Sequence, residues 1–340
     1  MNYGKIGQVL IYVGLGFLFV FTIVFAFNTT DLNTGPIDSS VWGQYGDIIG
    51  GFVGTIVALV GVLLLYETLK QQRDSFTKQQ VETRFFELVR LHRENVIELK
   101  SKGKSGREIF IQFKDEFHDL FEKVKERYPQ DQSARRDNPK DITVWYKELT
   151  QISYLILFYG VDNSSEQALK RKIEKISNNW AVYKDIEEHI IDKISKKHKE
   201  DKENNRTVGT VKRYLKYDGQ QSRLGHYFRH LFQTVKYVNN QPSRLFSYEE
   251  KYNYIKTLRA QLSTHEQAVL FYNSLTELGH PWELNQTDDN HKLITKYNLI
   301  KNLPDEFTGV INPKFYYRDV FFEFDTVPTQ NRRELEKGYR

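Results

Sequence analysis

The residues with most chemical potential lie in the C-terminal half of the chain. Ser222-Arg223-Leu224-Gly225-His226-Tyr227-Phe228-Arg229-His230-Leu231 reads as the opening of a helix that runs to about Val238, which sets His226 and His230 one turn apart on one face. Two histidines so spaced can ligate zinc. The metalloprotease form needs Glu after the first His, where Tyr227 stands, and no third ligand is near, so structural histidines are expected, with no metal and no other cofactor. Arg259 with His265, and Arg223 with His230, each bring a guanidinium and an imidazole within a few residues, groups that could anchor a phosphate and act as general acid/base on an RNA 2′-hydroxyl. Gly103-Lys104-Ser105 resembles the tail of a phosphate-cradling loop, but Glu98 occupies the place of its leading glycine and no strand precedes it, so it reads as a plain loop. The absence of cysteine removes disulfides, thiolate zinc sites and cysteine nucleophiles. No serine-histidine-acid set or paired-carboxylate motif stands in their place. Catalytic residues are therefore not assigned, the only candidates being Arg259, His265, Arg223 and His230.

The elements that must position these residues read as helices. Leu258 to Gln267 leads into Ala268-Val269-Leu270-Phe271-Tyr272-Asn273, apolar nearly all round and so expected in a core. Polar groups embedded there cost roughly 1–3 kcal/mol each when unpaired. Arg259, Gln261, Glu266 and Asn273 are therefore expected to meet Arg223, His226, Arg229 and His230 in one buried polar network. Upstream, Phe110, Phe113, Phe117, Leu120, Phe121 and Val124 mark an amphipathic helix ended by Pro129; Asp141–Tyr159 reads as another, and Glu166–Ser195 as one or two more. The charged run Lys196–Arg206 interleaves acids with lysines and reads as a solvated surface, so nucleic acid is not an expected partner. Asn312–Arg340 has no clear assignment.

Mean hydropathy is -0.59, so apolar stretches must be local. Two are: Val9–Phe27 and Ile48–Tyr66 carry no charge and match the roughly 20 residues that span a bilayer. A cleaved signal peptide is the competing reading of the first, but its apolar run is too long and Val24-Phe25-Ala26 lacks the small-x-small pattern. The loop Asn28–Asp47 has no Lys or Arg, whereas Lys5 precedes the first span and Lys70, Arg73, Lys78 and Arg84 follow the second, which puts both termini in the cytoplasm. Asn28-Thr29-Thr30 fits a glycosylation sequon, a pattern too short to carry weight. Gly46, Gly50, Gly54 and Ala58 form a small-residue stripe that would pack either on the first span or on a second protomer. The expected organisation is mainly α: a membrane anchor over 1–66 (spans 9–27 and 48–66), a stalk helix over 67–100, and a cytosolic helical domain over 107–340.

The motif segments resemble the phage abortive infection family of bacterial proteins, sometimes called AbiC-like. The matching stretches are Ser222–His230, Leu258-Arg259-Ala260-Gln261-Leu262-Ser263, Leu270-Phe271-Tyr272-Asn273-Ser274-Leu275 and Lys296–Leu303, with Gly50-Gly51-Phe52 and Arg84-Phe85-Phe86-Glu87-Leu88 also fitting. The resemblance implies a two-span inner-membrane protein of antiviral defence that stops the infected cell; it supplies no catalytic residues. An effector acting on the bilayer, a membrane-anchored ribonuclease of the helical HEPN type, and a non-catalytic sensor or interaction module are the function classes it leaves. In HEPN nucleases a polar residue usually follows the Arg, where this chain has Ala260 and Leu224. The effector class leads. The expected partners are the lipid bilayer, further copies of the chain, and as trigger a phage component or a co-encoded sensor.

Overall fold

The computed structural model describes residues 3–29, 39–101, 103–128, 139–161, 166–177, 184–192, 217, 219–309 and 311–339. The chain is mainly α and divides into two compact units, Met1–Thr83 and Arg84–Arg340.

In the first unit α1 (Tyr3–Thr29) pairs with the first part of α2 (Ser39–Glu98). Phe17 packs on Phe52 with tilted rings and centroids 4.0 Å apart, and Phe21 and Phe25 lie 5.6 and 4.3 Å from Tyr45. Thr22 and Tyr45 share a hydrogen bond of 2.6 Å between their hydroxyls. Ile56 lies against Gly14 and Val60 against Gly7, so residues rise along α1 as their partners fall along α2, an antiparallel hairpin. Both helices are long and apolar enough to cross a membrane, and their apolar side chains are exposed over most of that length. α2 starts at Ser39, within the stretch expected as loop, because Tyr45 already packs on α1; residues 30–38, with Thr30 of the sequon, lie outside the described set. It then continues without interruption to Glu98, so the expected span and stalk are one helix.

The partners of α1 on α2, Tyr45, Phe52, Ile56 and Val60, recur at seven- and four-residue spacing on one face. Gly43, Gly46, Gly50, Gly54 and Gly61 have open space where a Cβ would be, with nothing among the described residues within 4 Å. At 100° per residue Gly43, Gly50, Gly54 and Gly61 form a single line opposite the α1-facing side. Of the two packings open to the stripe, the one against the first span is thus not the one adopted: aromatic and branched residues make that contact instead.

The second unit begins with the C-terminal turns of α2, whose Phe85, Val89, His92 and Val96 are buried. A two-residue hairpin, β1 (Lys100–Ser101) and β2 (Lys104–Ser105), follows, its turn allowed by Gly103 at φ +81°. α3 (Glu108–Arg127) and α4 (Pro139–Tyr159) then pack together. Phe110, Phe113, Phe117 and Phe121 of α3 are buried, each contributing roughly 2 kcal/mol of transfer free energy. α5 (Glu166–Ser177) and α6 (184–192) occupy the region expected to hold one or two helices, and the charged run 196–206 lies outside the described residues. α7 (Gln221–Asn239), α8 (Tyr248–Arg259) and α9 (Thr264–Ser274) carry the motif segments. Every residue of α9 from Glu266 to Ser274 is buried, as its apolar perimeter requires. Short α10 (Leu293–Tyr297) and α11 (Pro313–Tyr316) precede α12 (Gln330–Tyr339). α12 ties the unassigned C-terminal stretch down through Arg332, wholly buried, whose guanidinium donates to the Thr295 carbonyl and, at 3.3 Å each, to the Lys296 carbonyl and the Tyr248 hydroxyl.

Candidate functional site

α7 turns Leu224, Tyr227, Phe228, Leu231 and Val235 toward the core. Its outer ridge, Gly225, Arg229 and Phe232, forms one wall of a groove of about 390 Å³. Phe158 and Tyr159 at the end of α4 close one side, and Pro281 and Trp282 the other. Phe232 meets Trp282 edge to face, 5.0 Å between centroids at 87°. Lys236, one turn further along the ridge, lies over the Phe232 ring at 5.8 Å. The Arg229 side chain folds back along the helix and donates from Nε to the Gly225 carbonyl at 3.0 Å. The Trp282 wall depends on Gly279, where an added Cβ would fall 2.3 Å from the Asn273 carbonyl oxygen; only glycine lets the chain turn this tightly after α9. Asn273 lines the groove floor, donating from Nδ2 to the Tyr154 hydroxyl at 3.0 Å.

Behind α7 lies a polar cluster centred on Glu266. Ser263 and Glu266 form a reciprocal capping box at the start of α9: the Glu266 carboxylate accepts the Ser263 N–H at 2.7 Å, and the Ser263 hydroxyl accepts the Glu266 N–H at 3.2 Å. The same carboxylate accepts the Tyr227 hydroxyl at 3.1 Å, with Arg107 Nε 3.8 Å away. Burial, then the adjacent Glu266 charge, pushes the Tyr227 hydroxyl well above its ordinary range. His92 and His230 stack at 5.9 Å and 20°, and none of their four ring nitrogens has a hydrogen-bond partner among the described residues. Burial first, then the neighbouring His230 and Arg107, pulls His92 down to about 4; burial and the nearby His226 lower His230. Both imidazoles are therefore neutral at pH 7. Among the described residues no group of three or more His, Cys, Asp or Glu is arranged to hold a metal ion.

The residues singled out from sequence spread over several environments. Arg259 is buried and donates to the Tyr297 and Asn298 carbonyls at 2.9 and 3.0 Å, bracing the left-handed Asn298 (φ 49°) that ends α10. Its guanidinium is thus occupied by backbone. His265 sits edge-on to Phe307 at 4.9 Å, away from those carbonyls. Arg223 donates to the Lys100 carbonyl at 2.8 Å and to Gln220 at 2.9 Å, while the carbonyl of Gln261 accepts from Arg107 at 2.7 Å. His226 and Arg229 are exposed. Of the four polar residues expected to meet α7, only Glu266 does so by hydrogen bond, through Tyr227; Arg259 turns to α10 and Asn273 to α4. The groove instead joins Arg229 and Asn273. In both Arg–His pairs the arginine is held on carbonyl oxygens of other residues. Tyr227, Tyr154 and His92 were not legible as members of these clusters, though Ser263-x-x-Glu266 carries the capping-box signature and could have located the Glu266 carboxylate.

Residues 219–308 match the family model described as "Putative phage abortive infection protein". No curated protein and no solved structure matches the chain. The matched stretch holds α7 to α10, and with them the groove ridge, Asn273, Gly279, Trp282 and, of the Glu266 cluster, Tyr227, His230, Ser263 and Glu266; Arg107 and His92 lie outside it. The likeness to that family is thus carried by the stretch from Gly219 to Thr308.

Proposed function

We propose that this protein is a membrane effector of abortive infection, anchored in the bacterial inner membrane by α1 and the apolar part of α2, with both termini in the cytoplasm and the helical domain as its trigger-receiving part. The observation that carries the reading is the hairpin of two exposed apolar helices whose glycine line faces away from its own partner helix. In hydrocarbon, helices associate by close backbone packing, which glycines permit. The occupant of that line is a second copy of the chain, and assembly through it perturbs the bilayer once a phage component or a co-encoded sensor acts on the cytosolic domain. Lys5 on one side, and Lys70, Arg73, Lys78 and Arg84 on the other, support the orientation.

The deciding measurement follows membrane potential and entry of an impermeant dye in cells expressing the chain during phage infection. Depolarisation before phage-driven lysis is the expected result. A potential that holds while cellular RNA is cleaved would overturn the effector reading in favour of a nuclease.

A further inference from the structure

We propose that the groove between α7 and the Pro281–Trp282 turn binds a small amphipathic anion, with a planar aromatic body against Phe228, Phe232 and Trp282 and its acid group on Arg229. This ligand chemistry goes beyond the likeness to the family and is independent of the membrane reading. The groove's volume, about 390 Å³, suits a small molecule, and its walls are mostly apolar, with Phe158, Tyr159, Phe228, Phe232 and Trp282 supplying aromatic rings, as in pockets that hold flat apolar groups. The edge-on Phe232 and Trp282 rings already form a corner into which a third ring fits.

Gly225 supplies a second line of argument. A glycine within a 19-residue helix weakens it, so a packing reason is expected where one stands. Here an added Cβ would meet only the Phe158 ring at 3.6 Å, ordinary contact, so the fold does not require glycine at this position. What glycine does is keep the groove wall low beside Arg229.

Charge supplies the third. Among the described residues no Asp or Glu lines the groove. Arg229, its one cationic lining residue among them, is exposed and forms no ion pair with any described residue. Arg229 uses one N–H on the Gly225 carbonyl, which leaves the rest of the guanidinium fork for a carboxylate or phosphate.

Nucleotides and aromatic carboxylic acids share this chemistry, and the test separates them. The full chain in detergent micelles is titrated calorimetrically, against a micelle blank, with adenosine 5′-monophosphate, 1-naphthaleneacetate, adenosine and inorganic phosphate. Saturable binding of at least one of the two acids is expected, about tenfold or more tighter than adenosine or phosphate, and weakened about tenfold by Arg229→Ala. Gly225→Leu should abolish it while the melting temperature stays level or rises, because leucine favours the helix. Binding of the monophosphate alone identifies a nucleotide; binding of naphthaleneacetate identifies an aromatic carboxylate. The proposal is overturned if neither acid binds at millimolar concentration, if Gly225→Leu binds as the wild type does, or if adenosine binds as tightly as its monophosphate.

Discussion

Burial pushes the Glu283 carboxyl up to about 7, even though it accepts the Thr295 N–H at 2.7 Å and the Thr295 hydroxyl. The folded chain therefore keeps a proton that the unfolded chain releases near the ordinary glutamate value, and stability falls as pH rises from there through about 7. At roughly 1.4 kcal/mol per pKa unit the loss is at most about 3.5 kcal/mol. His92 works in the opposite direction. Held near 4 by burial, it resists the proton that the unfolded chain takes up near 6.5, so stability falls as pH drops through that interval. Glu283→Gln keeps an acceptor for the Thr295 N–H without the charge. It should raise the melting temperature by about 5 °C at pH 8 and barely change it at pH 5; an equal shift at both values would mean that Glu283 does not titrate in this way. The sequence marks neither residue. Nothing about Glu283 in Trp282-Glu283-Leu284 announces burial, and the partner of His92 lies more than a hundred residues away on α7. Arg259 was legible as a buried polar residue in need of partners, but not as a brace for α10, because carbonyl partners leave no trace in residue type.

The line Gly43, Gly50, Gly54 and Gly61 stands apart from the α1 contacts of Phe52, Ile56 and Val60 on the same helix, so bulk can be added to one side without disturbing the other. Gly50→Leu and Gly54→Leu should leave the hairpin and the protein level intact while reducing the particle mass measured in detergent by light scattering and abolishing phage protection. Wild-type mass together with wild-type protection would remove this face from the mechanism. Of this line, Gly50 and Gly54 belong to the stripe Gly46, Gly50, Gly54 and Ala58 read at four-residue spacing in the sequence; Gly43 and Gly61 do not. The direction of the stripe was not readable there, since which face of α2 meets α1 depends on tertiary pairing of Tyr45 and Phe52 with Phe25 and Phe17. Helix existence was similarly legible from the spacing of Phe110, Phe113, Phe117 and Phe121, and from the apolar perimeter of α9. α12 was not, because its ten residues are mostly polar and its one deep anchor is an arginine.

The whole molecule combines an apolar hairpin with a net charge of +5 concentrated outside it, and the proposed orientation rests on the lack of basic residues between Asn28 and Asp47. A phosphatase reporter inserted at Thr34 should be active outside the cytoplasm and a fluorescent one fused after Arg340 active only inside; a C-terminus outside would reverse the assignment of the helical domain to the cytosol. Set in hydrocarbon, the glycine line has one more effect. Where side chains are missing the helix surface is a trough, and a mobile acyl tail follows such a hollow poorly, leaving gaps in which dispersion contacts are forfeited. A rigid helical ridge fills the same hollow with little further loss of freedom. The face would thus be poorly wetted by its own solvent, and most so in thick, ordered bilayers whose tails bend least.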